Sequence, residues 1–203
     1  MMKSLFVLGA CAVLPVGLFL RAPAVTSSAA PDAVAYEIDG VHSSIVFRIK
    51  HMGVSYTYGR FDKVSGSVTY DEAKPENDKI DVEIAADSID TNDGGRDTHV
   101  KSPDLLSAAE FPTITFKSTK VAKKDKKLSV TGDLTFHGKT KSVVVDVDPV
   151  GAADTRMGKR AGFETTFEIK RSEYGCNGLL DGIGDDVRLI VSLECVVPSA
   201  KKK

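Results

Sequence analysis

Leu128-Ser129-Val130-Thr131-Gly132-Asp133-Leu134-Thr135-Phe136-His137-Gly138-Lys139-Thr140-Lys141-Ser142-Val143-Val144-Val145-Asp146-Val147-Asp148 is the stretch that decides the fold. Leu128, Val130, Leu134 and Phe136 alternate with polar residues, and so do Val143, Val145 and Val147 further on. A period of two sends successive side chains to opposite faces, so both runs read as strands buried on one side. Between them His137-Gly138 reads as a tight hairpin turn, with the glycine supplying positive φ.

The same alternation extends in both directions. Ile45, Phe47 and Ile49 share one face of an early strand, and Ile80, Val82 and Ile84 share one face of another. Phe163, Thr165, Phe167 and Ile169 do so later, followed by Val187, Leu189, Val191, Leu193 and Cys195. Lys123 to Lys126 form a polar hairpin loop, and a parity change between Phe61 and Val68/Tyr70 predicts a bulge near Gly66. No long amphipathic helix interrupts the pattern. About eight consecutive strands, each with one apolar face, predict an all-β protein whose sheet closes into an antiparallel barrel and so loses its exposed edges. One connection, from Asp87 to Phe111, carries no alternation. Ser102-Pro103-Asp104-Leu105-Leu106 offers an N-cap with proline at the first helical position, which predicts a short helical lid docked through Val100, Leu105, Leu106 and Phe111.

Composition narrows the function classes. Among 203 residues, 27 Lys and Arg nearly balance 28 Asp and Glu, so no strong field exists to attract nucleic acid. The N-terminus has a basic start at Lys3, an apolar run from Leu5 to Leu20, and then small residues, the layout of a secretory signal peptide. Residues 1–24 are read as that peptide, with Ala35 as a later cleavage point and an uncleaved anchor as the alternative. The barrel is assigned to 36–197 and a basic disordered tail to 198–203. Leu8-Gly9-Ala10-Cys11 looks like a lipoprotein box, but the apolar run continues beyond it. Export would leave Cys176 and Cys195 in a compartment that permits disulfides. The strand pattern sets them at opposite ends of a hairpin, which predicts two free thiols.

Chemistry-bearing motifs are sparse. His42, His51, His99 and His137 have no ligand spacing and no C-x-x-C beside them. A metal-dependent or hydrolytic enzyme using His42, His51 or His99 stands as the alternative function, and no metal or catalytic residue is assigned. The informative feature is the inward apolar set: Ile45, Phe47, Ile49, Phe61, Ile84, Phe116 and Leu134, then Phe136, Phe163, Phe167, Ile169, Leu189, Val191 and Leu193. A barrel of this size is either packed solid or holds one small ligand, and periodicity leaves both open. An open lumen would favour a long hydrocarbon.

Ile38-Asp39-x-x-His42-Ser43, Gly59-Arg60-Phe61, Ser88-Ile89-x-Thr91, Arg96-Asp97-x-His99 and Phe111-Pro112-x-Ile114-x-Phe116 occur in that order. Gly132-Asp133-Leu134-Thr135-Phe136-x-Gly138-x-Thr140 and Arg171-x-x-Tyr174-Gly175 follow. This ordered set resembles the YceI-like, polyisoprenoid-binding family from about Tyr36 to Val197. The resemblance implies a lipocalin-like barrel, export to the periplasm or beyond, and a carrier or storage role for an isoprenoid, quinone-like or other amphiphilic lipid. It implies no enzyme activity and no cofactor besides the bound lipid. A small hydrophobic ligand is the expected partner, with transient membrane contact for loading, and a homodimer is compatible. True lipocalins share the architecture, but their signature tryptophan is missing from a chain with no Trp. Arg60, Arg96, Asp97, His99 and Arg171 occupy motif positions near strand ends and the lid. They are expected to form a charged network that either meets a ligand head group or serves only to hold the structure.

Overall fold

Residues 33–199 are described by a computed structural model of the protein. Eleven strand segments run in chain order: β1 (Val34–Ile38), β2 (Ser44–His51), β3 (Ser55–Phe61), β4 (Val64–Tyr70), β5 (Lys79–Ala85), β6 (Ile89–Asp90), β7 (Thr113–Lys124), β8 (Lys127–Phe136), β9 (Lys139–Thr155), β10 (Gly158–Lys170) and β11 (Ile183–Val196). All pairings are antiparallel. β11 pairs with β2 through Val191 and Ile45, and with β1 through Cys195 and Ile38, so β1 and β2 act as one barrel strand. β3 and β4 pair with β2 and β1 and make a second. β5 and β6 pair with β4 and β3 and make a third. With β7 to β11 these form a closed barrel of eight strands.

The first three barrel strands are broken at one level, and side chains hold the breaks. Ser88 Oγ accepts from Lys63 N–H at 3.1 Å and donates to the Ala85 carbonyl at 2.6 Å, while Asp62 N–H donates to the Ser88 carbonyl. At the remaining break, Ser43 Oγ accepts from Glu194 N–H at 3.0 Å. The parity reset expected near Gly66 therefore lies earlier, at Asp62-Lys63. Gly66 itself keeps register with Val82, at φ +141° and close against the Asp81 carbonyl.

One end of the barrel is packed solid. Tyr36, Val121, Val130, Ala161 and Cys195 fill it, and Tyr70 meets the Phe163 ring edge-on at 5.2 Å. β9 and β10 are paired here, but their ladder stops at Val147 and Thr165, where Thr165 Oγ1 donates to the Asp146 carbonyl. The other end is covered by the connection after β6. Its helix is α1 (Gly94–Lys101), capped by Asp93 accepting from Arg96 N–H at 2.7 Å. The helix expected at Ser102-Pro103 is instead a series of turns, and Ser102 closes α1 at its C-terminus. Proline fits just after a helix as well as at its start, and here the acidic N-cap at Asp93 decided the outcome.

Cys195 lies at the packed end, where burial pushes its thiol up to about 12. Cys176 lies beyond Lys170 at the opposite end, its thiol also raised by burial, and both are free. The signal-peptide segment 1–24 and Lys201 to Lys203 fall outside the described residues. Val34 and Ala35 pair with Tyr70 and Thr69, so cleavage after Ala35 would shorten β1, whereas cleavage after Ala24 would leave it whole.

Two buried acids organise the loop that leaves the packed end. Asp71 accepts from the Ala73 and Lys74 N–H groups, and Asp78 accepts from Asp71 N–H at 2.6 Å. The second carboxylate oxygen of Asp78 is buried without a partner. Burial, with Asp71 and Glu76 nearby, pushes Asp78 up to about 6. A carboxyl whose folded pKa is raised favours folding below its unfolded value, and that contribution is lost as pH rises through the folded value. Denaturant titrations should therefore show Asp78→Asn gaining on the wild type between pH 4 and pH 7, by about 2–3 kcal/mol. A constant difference across that range would show that Asp78 is not the titrating group.

Candidate ligand cavity

Above the packed end the barrel is hollow. A cavity of about 610 Å³ runs from Val68, Phe163 and Leu193 up to Met52, Leu179 and Gly182 at the lid end. Every residue of the inward apolar set lines it, whereas Leu128, Val130, Val143 and Cys195, which share the same alternation, do not. The alternative of a solid interior thus holds for the lower part of the barrel only. The volume is room for roughly twenty water- or methylene-sized groups.

Two glycines keep this space open. Phe47 is paired with Gly59, and a Cβ on Gly59 would stand 2.4 Å from Phe47 Cζ. A Cβ on Gly132 would stand 2.4 Å from Phe116 Cζ. Each aromatic ring therefore lies over the bare backbone of a neighbouring strand, along the wall and out of the axis. Phe47 also packs at 5.8 Å on Phe61, and Phe136 at 5.7 Å on Tyr174, which ties the rings to their neighbours.

Most of the polar lining gathers at the lid end. Arg171 is 3% exposed, and its guanidinium donates to the carbonyls of Gly184 (2.9 Å), Cys176 (2.9 Å) and Ile183 (2.8 Å). Among the described residues no carboxylate lies within salt-bridge distance of it. Arg96 donates to Thr91 Oγ1 at 2.8 Å and to the Thr91 carbonyl at 2.6 Å. Asp97 accepts from the same Thr91 through its hydroxyl (2.6 Å) and N–H (2.8 Å), and these bonds lower its pKa. Leu105 and Leu106 close the top from the lid, and Cys176 Sγ donates to the Leu105 carbonyl at 3.2 Å.

The five charged residues expected to form one network are not brought together. Arg96 and Asp97 share Thr91, Arg171 anchors the β10–β11 connection, and His99 lines the cavity beside Asp104 at 3.5 Å. Arg60 points outward, bound to Asp62 at 2.8 Å and Asp90 at 3.0 Å. Alternation could have excluded it, since its neighbours Gly59 and Phe61 are the buried ones. The histidines of the enzyme alternative are also separated. His51 and His99 line the mouth, whereas His42 sits outside against Asp39 at 2.9 Å. Asp39, His42 and Glu194 come within 4.8 Å of one another, a cluster that sequence spacing did not reveal. The Arg160 guanidinium already bonds both carboxylates there, and Asp39 is held well below the usual carboxylate range by Arg160 and then His42. Thr91, Met52 and Leu179 are cavity residues that alternation missed, because they lie outside the strands.

A closed antiparallel barrel with a solid floor, an apolar hollow and polar groups at the lid is the architecture of a lipocalin-like barrel. The comparisons place it more narrowly. A family model described as YceI-like domain matches residues 36–195, and the chain belongs to that family. It is 41% identical over 167 residues to Protein YceI of Salmonella arizonae, covering 81% of this chain and 87% of that one. The crystal structure of Burkholderia cenocepacia BcnA superposes with a TM-score of 0.72 at 26% identity, covering 77% of this chain and 98% of that one. The Campylobacter jejuni YceI protein does so at 0.65 and 32%, covering 71% and 87%. A polyisoprenoid binding domain from Saccharophagus degradans, 18% identical, shares the fold at 0.64 over 81% of this chain and 99% of that one.

Gly132→Ala tests how the cavity is held open. The new methyl must displace the Phe116 ring toward the axis and also shift the Lys117 carbonyl, which would stand 2.7 Å from the new Cβ. The cost is at least about 1–3 kcal/mol from overpacking. Thermal unfolding should register that loss, and a crystal structure of the variant should show the cavity narrowed beside Phe116. An unmoved ring would refute the wall-seating account.

Proposed function

We propose that this protein is an exported carrier or storage protein whose barrel holds the chain of an isoprenoid, quinone-like or other amphiphilic lipid. The observation that carries this reading is the one-ended apolar cavity beneath the lid. Each methylene buried there contributes about 0.8 kcal/mol, partly offset by ordering a flexible chain. About twenty carbons fit within the walls by volume, so a longer chain would fold back or project from the mouth. The polar end suits a head group bearing carbonyl, hydroxyl or phosphate oxygens. Arg171 and Arg96 both line the cavity there with guanidinium groups satisfied by neutral acceptors, which leaves their charge available to a ligand. The signal-peptide reading of residues 1–24 supports a periplasmic or secreted location. The family and the Saccharophagus domain support a polyisoprenoid-like ligand.

Organic extraction of the purified mature protein followed by mass spectrometry should yield a lipid in near-stoichiometric amount. Leu189→Trp provides the complement. It adds the chain's sole tryptophan to the lumen wall, where its bulk should reduce lipid retention while its emission remains that of a buried indole. Protein that yields no lipid and retains no added polyprenol would remove the carrier assignment.

Arg96→Ala separates head-group binding from structural support. With a head-group role, lipid retention falls by about tenfold, the loss of one charged hydrogen bond, with a smaller change in melting temperature. Lower stability with unchanged retention would assign Arg96 to holding Thr91 and the lid alone.

A further inference from the structure

Exposed apolar side chains gather at the mouth of the cavity. Met52 and Val54 form the tip of the β2–β3 hairpin and are 63% and 85% exposed. Leu179 and Leu180, on the β10–β11 connection, are 51% and 42% exposed. The two loops are joined, since Met52 N–H donates to the Gly182 carbonyl at 2.7 Å and Gly182 N–H donates to the Leu179 carbonyl at 3.0 Å. Met52 and Leu179 also line the lumen, so this rim is continuous with the cavity wall.

The backbone supplies an independent sign of purpose. Met52 and Leu179 have φ of +52° and +53°, the left-handed region that bulky side chains rarely adopt. Asparagine at either position would be more soluble and less strained. Exposed apolar groups kept at a conformational cost point to a use for them.

Behind the tip, the outer face of the hairpin changes character. Lys50 is paired with Tyr56 and Arg48 with Tyr58, both tyrosines are exposed, and the Arg48 guanidinium lies 4.0 Å from the Tyr56 ring centroid. An apolar tip followed by tyrosines and basic groups complements the layers of a bilayer: hydrocarbon, interfacial ring and anionic phosphate.

We propose that this rim docks on an anionic lipid bilayer. Met52, Val54, Leu179 and Leu180 enter the hydrocarbon edge, and the exposed Lys50 meets phosphates while Arg48 stays between Tyr56 and Glu168. Lipid then passes between membrane and lumen without crossing water. The proposal rests on the carrier reading and names the surface it would use.

The test is flotation of the mature protein with vesicles of phosphatidylethanolamine and phosphatidylglycerol, and with vesicles of phosphatidylcholine alone. Wild type should float with the anionic vesicles. Met52→Asn/Leu179→Asn should lower that partition by about tenfold or more, with a melting temperature equal to or above wild type because strain is relieved. Val54→Ser/Leu180→Ser alters no cavity-lining side chain and should lose flotation while binding dispersed N-phenyl-1-naphthylamine as tightly as wild type. Wild type that binds the dye and does not float, or variants that float equally well, would overturn the docking surface alone. Elution of wild type as a dimer that these substitutions dissociate would give the rim to a second copy of this chain, and also overturn it. Flotation without uptake of dye or polyprenol would instead overturn the carrier reading.

Discussion

The hollow of this barrel depends on where its phenylalanine rings lie. An eight-stranded barrel has an interior just wide enough for side chains to fill. Phe47 and Phe116 project from nearly opposite parts of the sheet order, on β2 and β7, and would occupy much of that width if they pointed at the axis. Gly59 and Gly132 remove the obstruction, because a bare α-carbon lets each ring lie over the next strand. Glycine weakens a strand interior by conformational entropy and lost packing. Here the covering ring restores the packing. The same contact that repairs the sheet thus leaves the lumen empty.

A second constraint places the void at one end. The breaks in the first three barrel strands reset which residues point inward, so Ile38 and Ile45, seven apart, both face the core. Below the breaks, Tyr36, Val130 and Cys195 close the barrel, and the Tyr70–Phe163 contact sits where the cavity begins. Ser88 and Ser43 hold these breaks with side-chain hydrogen bonds to backbone groups that the interrupted ladder leaves free. Without the resets, strict alternation along a single long strand would turn one half's apolar face to solvent.

That division explains what was legible in the sequence. Alternation reads out whichever face is buried, so the strands, the closure and the lumen wall could be taken from Ile45, Phe163 or Leu189 without coordinates. It cannot say whether a wall of phenylalanines meets at the centre, since that turns on Gly59 and Gly132, across the strand from the rings they seat. It also fails where the period is reset, which is why the change at Asp62-Lys63 looked like a bulge at Gly66. The lid was visible as a long connection, but its helix was read from Ser102-Pro103, whereas the chain caps it earlier, at Asp93. Motif membership grouped Arg60 with Arg96 and Arg171 although its side chain faces outward. Residues that recur in one motif need not share one site.

The stability of the fold is also distributed unevenly along the axis, and the mouth is the end that gives it up. At the floor, burial is dense and β9 and β10 pair as far as Thr165, with one register shift between Gly162 and Phe163. Beyond it the two strands are held chiefly to their other neighbours, β8 and β11, with Lys141 and Glu173 tied at 2.8 Å near the top. The buried Arg171 guanidinium ties the two ends of the following connection together by donating to the Cys176, Ile183 and Gly184 carbonyls, and that connection carries Leu179 at positive φ. Local opening costs least where buried contacts and ladder bonds are fewest. The gap between β9 and β10 thus lies on the side of the entrance, and the packed floor keeps the two strands paired.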